Sequence, residues 1–309
     1  MDLGLHLPLL DFGGEGLSRS RLMEAVDAAR EHGFAAVSSN DHFVFARPWL
    51  DGPTALAAVL ERAGGMEVAT TVALPVLRGP VALAKALAAL DVLSGGRLTA
   101  AVGPGSSRRD YELAGIPFEE RWKRFDEAVA ALRYLLRSEA MPSGRFYSLG
   151  EATLEPLPPQ DGGLPIWIGS WGSAAGLRRV ARLADGWLAS AYNTTADLFA
   201  SARSALEDEL EAQGRETAAF PNALATMWTW VTSTRAEGER MLASVLAPLL
   251  GRDPNDLRGR VCVGLPAHCA EVLSQYAAAG CGRVYLWPLG DEARQLERFA
   301  GEVWSKVAA

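Results

Sequence analysis

Residues 68–105 read VATTVALPVLRGPVALAKALAALDVLSGGRLTAAVGPG. The stretch opens on an apolar, β-branched run, Val68 to Leu74, which suits a strand. Pro80 then starts a helix that carries Leu83, Leu87 and Leu90 on one face and stops at Gly95-Gly96. A second apolar run, Leu98 to Val102, follows and ends in the turn Gly103-Pro104-Gly105. Strand, helix and strand in one short span make a βαβ unit, whose strands lie parallel.

Outward from this unit the rhythm continues in both directions. Strand candidates precede it at Leu3 to Leu7 and Ala35 to Ser38. Others follow at Ile166 to Gly169, Gly186 to Ala189, Ala225 to Val231 and Arg283 to Leu286. With the two quoted, eight strands alternate with helices, the pattern of an α/β fold and most economically of a (β/α)8 barrel with loop insertions. The helix after the fourth strand sets Trp122, Phe125, Val129, Leu132 and Leu136 at steps of three and four, so one face must pack. Between about 138 and 165 the rhythm lapses into a stretch with Pro142, Pro156, Pro158, Pro159 and Pro165. That stretch reads as an inserted loop in a single domain spanning 1–309, because no composition shift separates the halves.

Composition narrows the function. Apolar residues make up 49% of the 309 and charged ones 22%, enough for a large core. Thirty basic residues against 37 acidic give a net charge of −7, which argues against binding nucleic acid. No apolar run is long enough to span a membrane, and the first residues lack the basic flank of a signal peptide, so a cytoplasmic protein is expected. Cys262, Cys269 and Cys281 are too few and too oddly spaced for a disulfide framework or, with His268, for zinc; buried thiols are expected and no metal.

In such a barrel the chemistry lies just after the strands. Four segments stand out there: Asn40-Asp41-His42, Pro75 to Arg78, Gly103-Pro104-Gly105-Ser106-Ser107, and Gly169-Ser170-Trp171-Gly172-Ser173. The last two combine glycine, serine and a following helix, which suits a phosphate; a plain glycine turn with Ser173 as helix cap explains the same residues. Asp41 and His42 supply a carboxylate and an imidazole, able to hold a ring or move a proton. Trp49, Trp171, Trp228, Trp230 and Trp287 fall near strand ends, where they line an apolar substrate pocket or simply fill the core. His6 faces the mouth or is a satisfied barrel histidine, and the segment from Tyr111 to Glu120 is a candidate lid.

The chain resembles the luciferase-like flavin-dependent oxidoreductases over nearly its whole length. The resemblance rests on NDHF at Asn40 to Phe43, ALAALDVLSGGRL at Ala86 to Leu98, VGPGS at Val102 to Ser106, GIPFEERWKRFDEAVAALR at Gly115 to Arg133, LPIWIGS at Leu164 to Ser170 and RRVARLADGWL at Arg178 to Leu188. It implies a barrel that binds coenzyme F420 or FMN non-covalently, with the ring over the strand ends. Asp41 and His42 would lie beside the ring, and the phosphate near Gly103, Gly105, Ser106 and Gly169 to Ser173. It also implies a cis peptide at Thr71-Val72 behind the ring. Where sugar-phosphate dehydrogenases of this family carry a glutamate after the GxG turn, this chain has Ser106, so that substrate class is not expected. The motif set favours F420 and hydride transfer to or from a small organic substrate, with His42 and Asp41 as catalytic residues. Arg78, Arg108, Arg109 and Arg179 are candidate partners for the coenzyme's acidic tail. The alternatives are an FMN-dependent monooxygenase supplied by a flavin reductase, and a flavin-binding barrel without turnover. A homodimer is in keeping with the family. No strand-end lysine suggests a Schiff-base aldolase and no HxH a metallohydrolase.

Overall fold

The computed structural model describes residues 1–14, 16–140, 143–151 and 153–307. Nine parallel strands form among them: β1 (Asp2–His6), β2 (Ala36–Ser39), β3 (Glu67–Ala73), β4 (Leu98–Val102), β5 (Ile166–Gly169), β6 (Gly186–Ser190), β7 (Asn222–Val231), β8 (Cys262–Gly264) and β9 (Arg283–Pro288). Each of β1 to β7 pairs with the next, β7 pairs with β9, and β9 returns to β1, which closes an eight-stranded barrel. The fold is the expected (β/α)8 barrel. The eight strands read from the sequence are its staves. The short β8 was not foreseen; it joins only β7, at Thr229 to Val231, beyond the stretch Asn222 to Ala225 that pairs with β6.

Alternation along the strands sorts the side chains into two cores. Leu3, Leu5, Val37, Val68, Val102, Ile168, Leu224 and Leu286 belong to the large cluster shared with the helices. Ala36, Ala69, Ala101, Leu188, Ala223, Ala225 and Tyr285, with Val72 and Trp167 against them, form a separate cluster that fills the barrel interior. Small residues there leave room for a few large ones. A Cβ on Gly4 would lie 2.4 Å from the Tyr285 ring, so the bare glycine of β1 is what admits that ring.

The helices follow their sequence signals. Pro80–Ser94 ends on Gly95 in the left-handed conformation, as its Gly-Gly stop requires. Arg121–Arg137 buries Phe125, Val129, Leu132 and Leu136, while Trp122 is left 39% exposed. The region after β7 breaks into Arg235–Met241, a π-turn at Leu242–Leu246, Ala247–Leu250 and Pro254–Leu257. These pieces pack Leu242, Leu246, Ala247 and Leu257 over Trp228, Val263 and Trp287. Among the described residues between Ser138 and Pro165 there is no helix or strand; Pro142 lies outside the described residues. Cys262, Cys269 and Cys281 are buried free thiols, and burial pushes Cys281 up to about 12. No helix is long and apolar enough to cross a membrane, and no group of three or more His, Cys, Asp or Glu suited to a metal occurs, both among the described residues.

Candidate active site

A cavity of about 450 Å³ opens at the C-terminal ends of the strands, within the size range of small-ligand sites. It gathers Asn40, Asp41 and His42 after β2, Thr71 and Val72 of β3, Gly103 to Ser106 after β4, Gly169, Ser170, Trp171 and Ser173 after β5, Ser190 of β6, and Ala225 and Thr226 of β7. Gly172 is not in the lining; its N–H donates to Ser170 Oγ at 3.3 Å and closes the turn on itself. The Thr71-Val72 peptide is cis, at the bond the resemblance singled out.

Glycine does something different here from what the motifs suggested. A Cβ on Gly103 or on Gly169 would lie 2.9 Å from a methyl of Val72. Their missing side chains therefore admit Val72, which becomes the cavity floor between β3, β4 and β5, rather than only a close-approaching ligand. Ser173 does cap the helix Ala174–Leu183, accepting the Gly176 N–H at 3.2 Å, and still lines the cavity. The N-terminus of that helix thus faces the cavity. Arg121, at the start of Arg121–Arg137, lines the same end; it donates to the Phe118 carbonyl at 3.0 Å and stacks 3.9 Å from the Phe118 ring centroid.

His42 is held from behind. Its Nδ1 lies 3.1 Å from Oδ2 of Asp110, whose side chain is only 1% exposed and also accepts the Val44 N–H at 2.7 Å. Burial works to raise the Asp110 carboxyl, but the hydrogen bonds from His42 and Val44 outweigh it and leave it below the usual carboxylate range. An ionised carboxylate only accepts, so Nδ1 of His42 carries the proton and a neutral ring keeps Nε2 as a free acceptor. Trp49 packs edge-on against the ring at 4.7 Å between centroids, and Phe45 lies tilted against it at 5.0 Å.

Asp41 is used otherwise than its reading as a catalytic group implied. Arg78 clasps both its oxygens, at 2.7 and 2.6 Å, and the Leu74 N–H adds a third bond at 3.2 Å. A carboxylate so engaged anchors the end of β2 to the segment after β3, with three of its four acceptor positions taken. Arg78 also pairs with Asp51, Arg108 with Glu119 and Arg179 with Asp126, so these three expected tail partners are engaged on the protein. Arg109 does not line the cavity.

Of the five tryptophans read as a substrate pocket, Trp171 lines the cavity and Trp49, Trp228, Trp230 and Trp287 do not. Trp287 stacks on His6 at 3.6 Å and on Trp228 at 3.9 Å, and meets Trp49 edge-on at 5.6 Å. Trp230 packs against the same cluster. Large flat rings on adjacent staves stack and exclude solvent, which is why core filling won. His6 is fully buried with Nδ1 2.8 Å from the Leu7 carbonyl oxygen, and burial lowers its pKa to about 3. In place of the other four, Trp122, Phe118 and Tyr192 join Trp171 in the cavity's aromatic lining. Tyr111 is wholly buried rather than part of a mobile cover, with its hydroxyl on the Pro104 carbonyl.

Residues 9–306 match the family described as luciferase-like monooxygenase, and the chain belongs to that family. It is 32% identical over 187 residues to an F420-dependent glucose-6-phosphate dehydrogenase of Segniliparus rotundus, covering 56% of this chain and 54% of that one. Matches to several curated relatives span only between 38% and 54% of their length. Among solved structures it is similar in fold to an F420-dependent secondary alcohol dehydrogenase in complex with an F420-acetone adduct, with a TM-score of 0.86 at 16% identity over 100% and 99% of the chains. It is also similar to the oxygenating constituent of 3,6-diketocamphane monooxygenase of Pseudomonas putida in complex with FMN, with a TM-score of 0.74 at 17% identity over 100% and 99%.

Proposed function

We propose that this oxidoreductase uses non-covalently bound coenzyme F420 to move a hydride to or from a small organic substrate. The observation that carries this reading is the buried Asp110 behind His42. Exchange of a hydride between an alcohol and a carbonyl needs a proton moved at the substrate oxygen, and His42 has the free Nε2 to do it. The residues present also suit the coenzyme: Ser173, Gly176, Arg121 and the N-terminus of Ala174–Leu183 make a phosphate end between β4 and β5. His42, Val72, Ser190 and Thr226, which line the rest of the cavity, would hold the ring.

When bound, the deazaflavin supplies two-electron hydride exchange. In the oxidising direction His42 Nε2 takes the hydroxyl proton as the neighbouring carbon gives up its hydride; in the reducing direction it returns that proton to the carbonyl oxygen. Asp110 holds the ring in the one tautomer that can do this and stabilises its cationic form. Ser106 stands where, by the family resemblance, a glutamate would serve a sugar phosphate, which argues against that substrate class.

The test is titration of the purified protein with F420 and with FMN, read by cofactor fluorescence. Binding of F420 in preference to FMN is expected. Preference for FMN would overturn the reading and move the enzyme to the monooxygenase branch with a reductase partner; binding of neither would make it a barrel without this chemistry.

A further inference from the structure

Across the mouth from His42, β6 and β7 carry two hydroxyls, those of Ser190 and Thr226, whose single protons are both committed. Arg252 Nη2 donates to Asn193 Oδ1 at 2.8 Å, and because a guanidinium only donates, this contact fixes which way the Asn193 amide points. Asn193 Nδ2 then donates to Ser190 Oγ at 3.0 Å. The Thr226 hydroxyl donates to the Ala225 carbonyl at 2.7 Å. A hydroxyl has one proton, so in the 2.9 Å contact between Ser190 and Thr226 the donor is Ser190. Donation runs from Arg252 through Asn193, Ser190 and Thr226 to Ala225. Neither hydroxyl has a proton left for the cavity that both line; each keeps a lone pair.

The backbone is bent to the same purpose. Thr226 has φ 57°, a left-handed conformation that a β-branched residue rarely adopts, at the register shift of β7 between Leu224 and Met227. Such strain persists where the surroundings over-determine it, and it concentrates at ligand sites.

We infer that Ser190 and Thr226 are cofactor-binding residues that accept a hydrogen bond from an N–H of the bound ring. In eight staves closed in order, β7 stands opposite β3, so a ring backed by Val72 presents its far edge to this wall. The donor class that fits is an imide N–H, which the flavin and the deazaflavin both carry. The inference rests on the cofactor reading above.

The experiment compares cofactor dissociation constants of the full chain, wild type, Thr226→Val, Thr226→Ser and Ser190→Ala, by fluorescence titration, with circular dichroism to show that each variant is folded. Losing one such acceptor is expected to weaken binding of F420 or FMN about five- to tenfold in Thr226→Val and in Ser190→Ala, while Thr226→Ser stays within about twofold of wild type. With the N3-methylated form of whichever cofactor binds, the difference between wild type and Thr226→Val disappears. Wild-type affinity in both Thr226→Val and Ser190→Ala, or a difference that survives methylation, would overturn the inference and leave the cofactor reading standing. Failure of the wild type to bind either cofactor would overturn both.

Discussion

Two sectors of the barrel mouth are built at the same level and come out opposite. Just after β4 and at the last residue of β5 stand Gly103 and Gly169, Val72 reaches across between them, and a cavity lies above. On β1, β9 and β7 the corresponding positions are His6, Trp287 and Trp228, stacked ring on ring and almost fully buried. The strand ends are equivalent in topology. Residue volume within one layer decides which sector holds a ligand and which is core.

The comparison can be broken most directly at its closed side. Trp287→Ala removes the middle ring of the stack and should lower unfolding stability in urea by about 3–5 kcal/mol, with cofactor affinity changed less than about threefold. An affinity loss to match would make the aromatic sector part of the ligand site. His6 sharpens the contrast through pH. Its folded-state pKa is about 3 against 6.5 when exposed, so below pH 6.5 the unfolded chain takes up a proton that the folded one refuses. Stability should therefore fall by about 1.4 kcal/mol per pH unit as the pH drops from 6.5 towards 3, and His6→Phe, which keeps a ring on Trp287, should remove that component. A variant as acid-sensitive as the wild type would show that His6 is not the group involved.

On the open side, Gly169→Val forces a branched side chain against Val72 and should weaken cofactor binding about 30-fold while the chain still folds. Unchanged affinity would mean that the floor tolerates filling and the ring lies elsewhere. The smallest effect is expected at Asp110→Asn: turnover about tenfold lower, with cofactor affinity within about twofold, because only the partner of His42 Nδ1 has changed. Turnover unaffected by that substitution would remove Asp110 from the proton-transfer device.

Much of the barrel was legible because its signals are local and repeated. Pro80 and Gly95 bound one helix by their own backbone preferences, and apolar runs such as Leu98–Val102 mark buried staves. β8 escaped because three residues, Cys262 to Gly264, carry no periodicity. In the site, the strand-end rule pointed to His42, Ser106 and Gly169 to Ser173, all but Gly172 in the lining. It did not point to Asp110, which is 68 positions from His42, nor to Thr226, whose left-handed backbone has no sequence signature. Arg121 was visible only as one residue of an amphipathic helix start.

The alternation of strands and helices, hence the parallel barrel and the end of it at which chemistry belongs, is written locally, in periodicity, turn residues and the geometry of βαβ units. Folding in three dimensions is what pairs Asp41 with Arg78 and His42 with Asp110, closes one sector with Trp228 and Trp287, and sets Ser190 against Thr226. Those outcomes depend on which side chains meet across the barrel and on how much volume they fill there, and neither is encoded in any one segment.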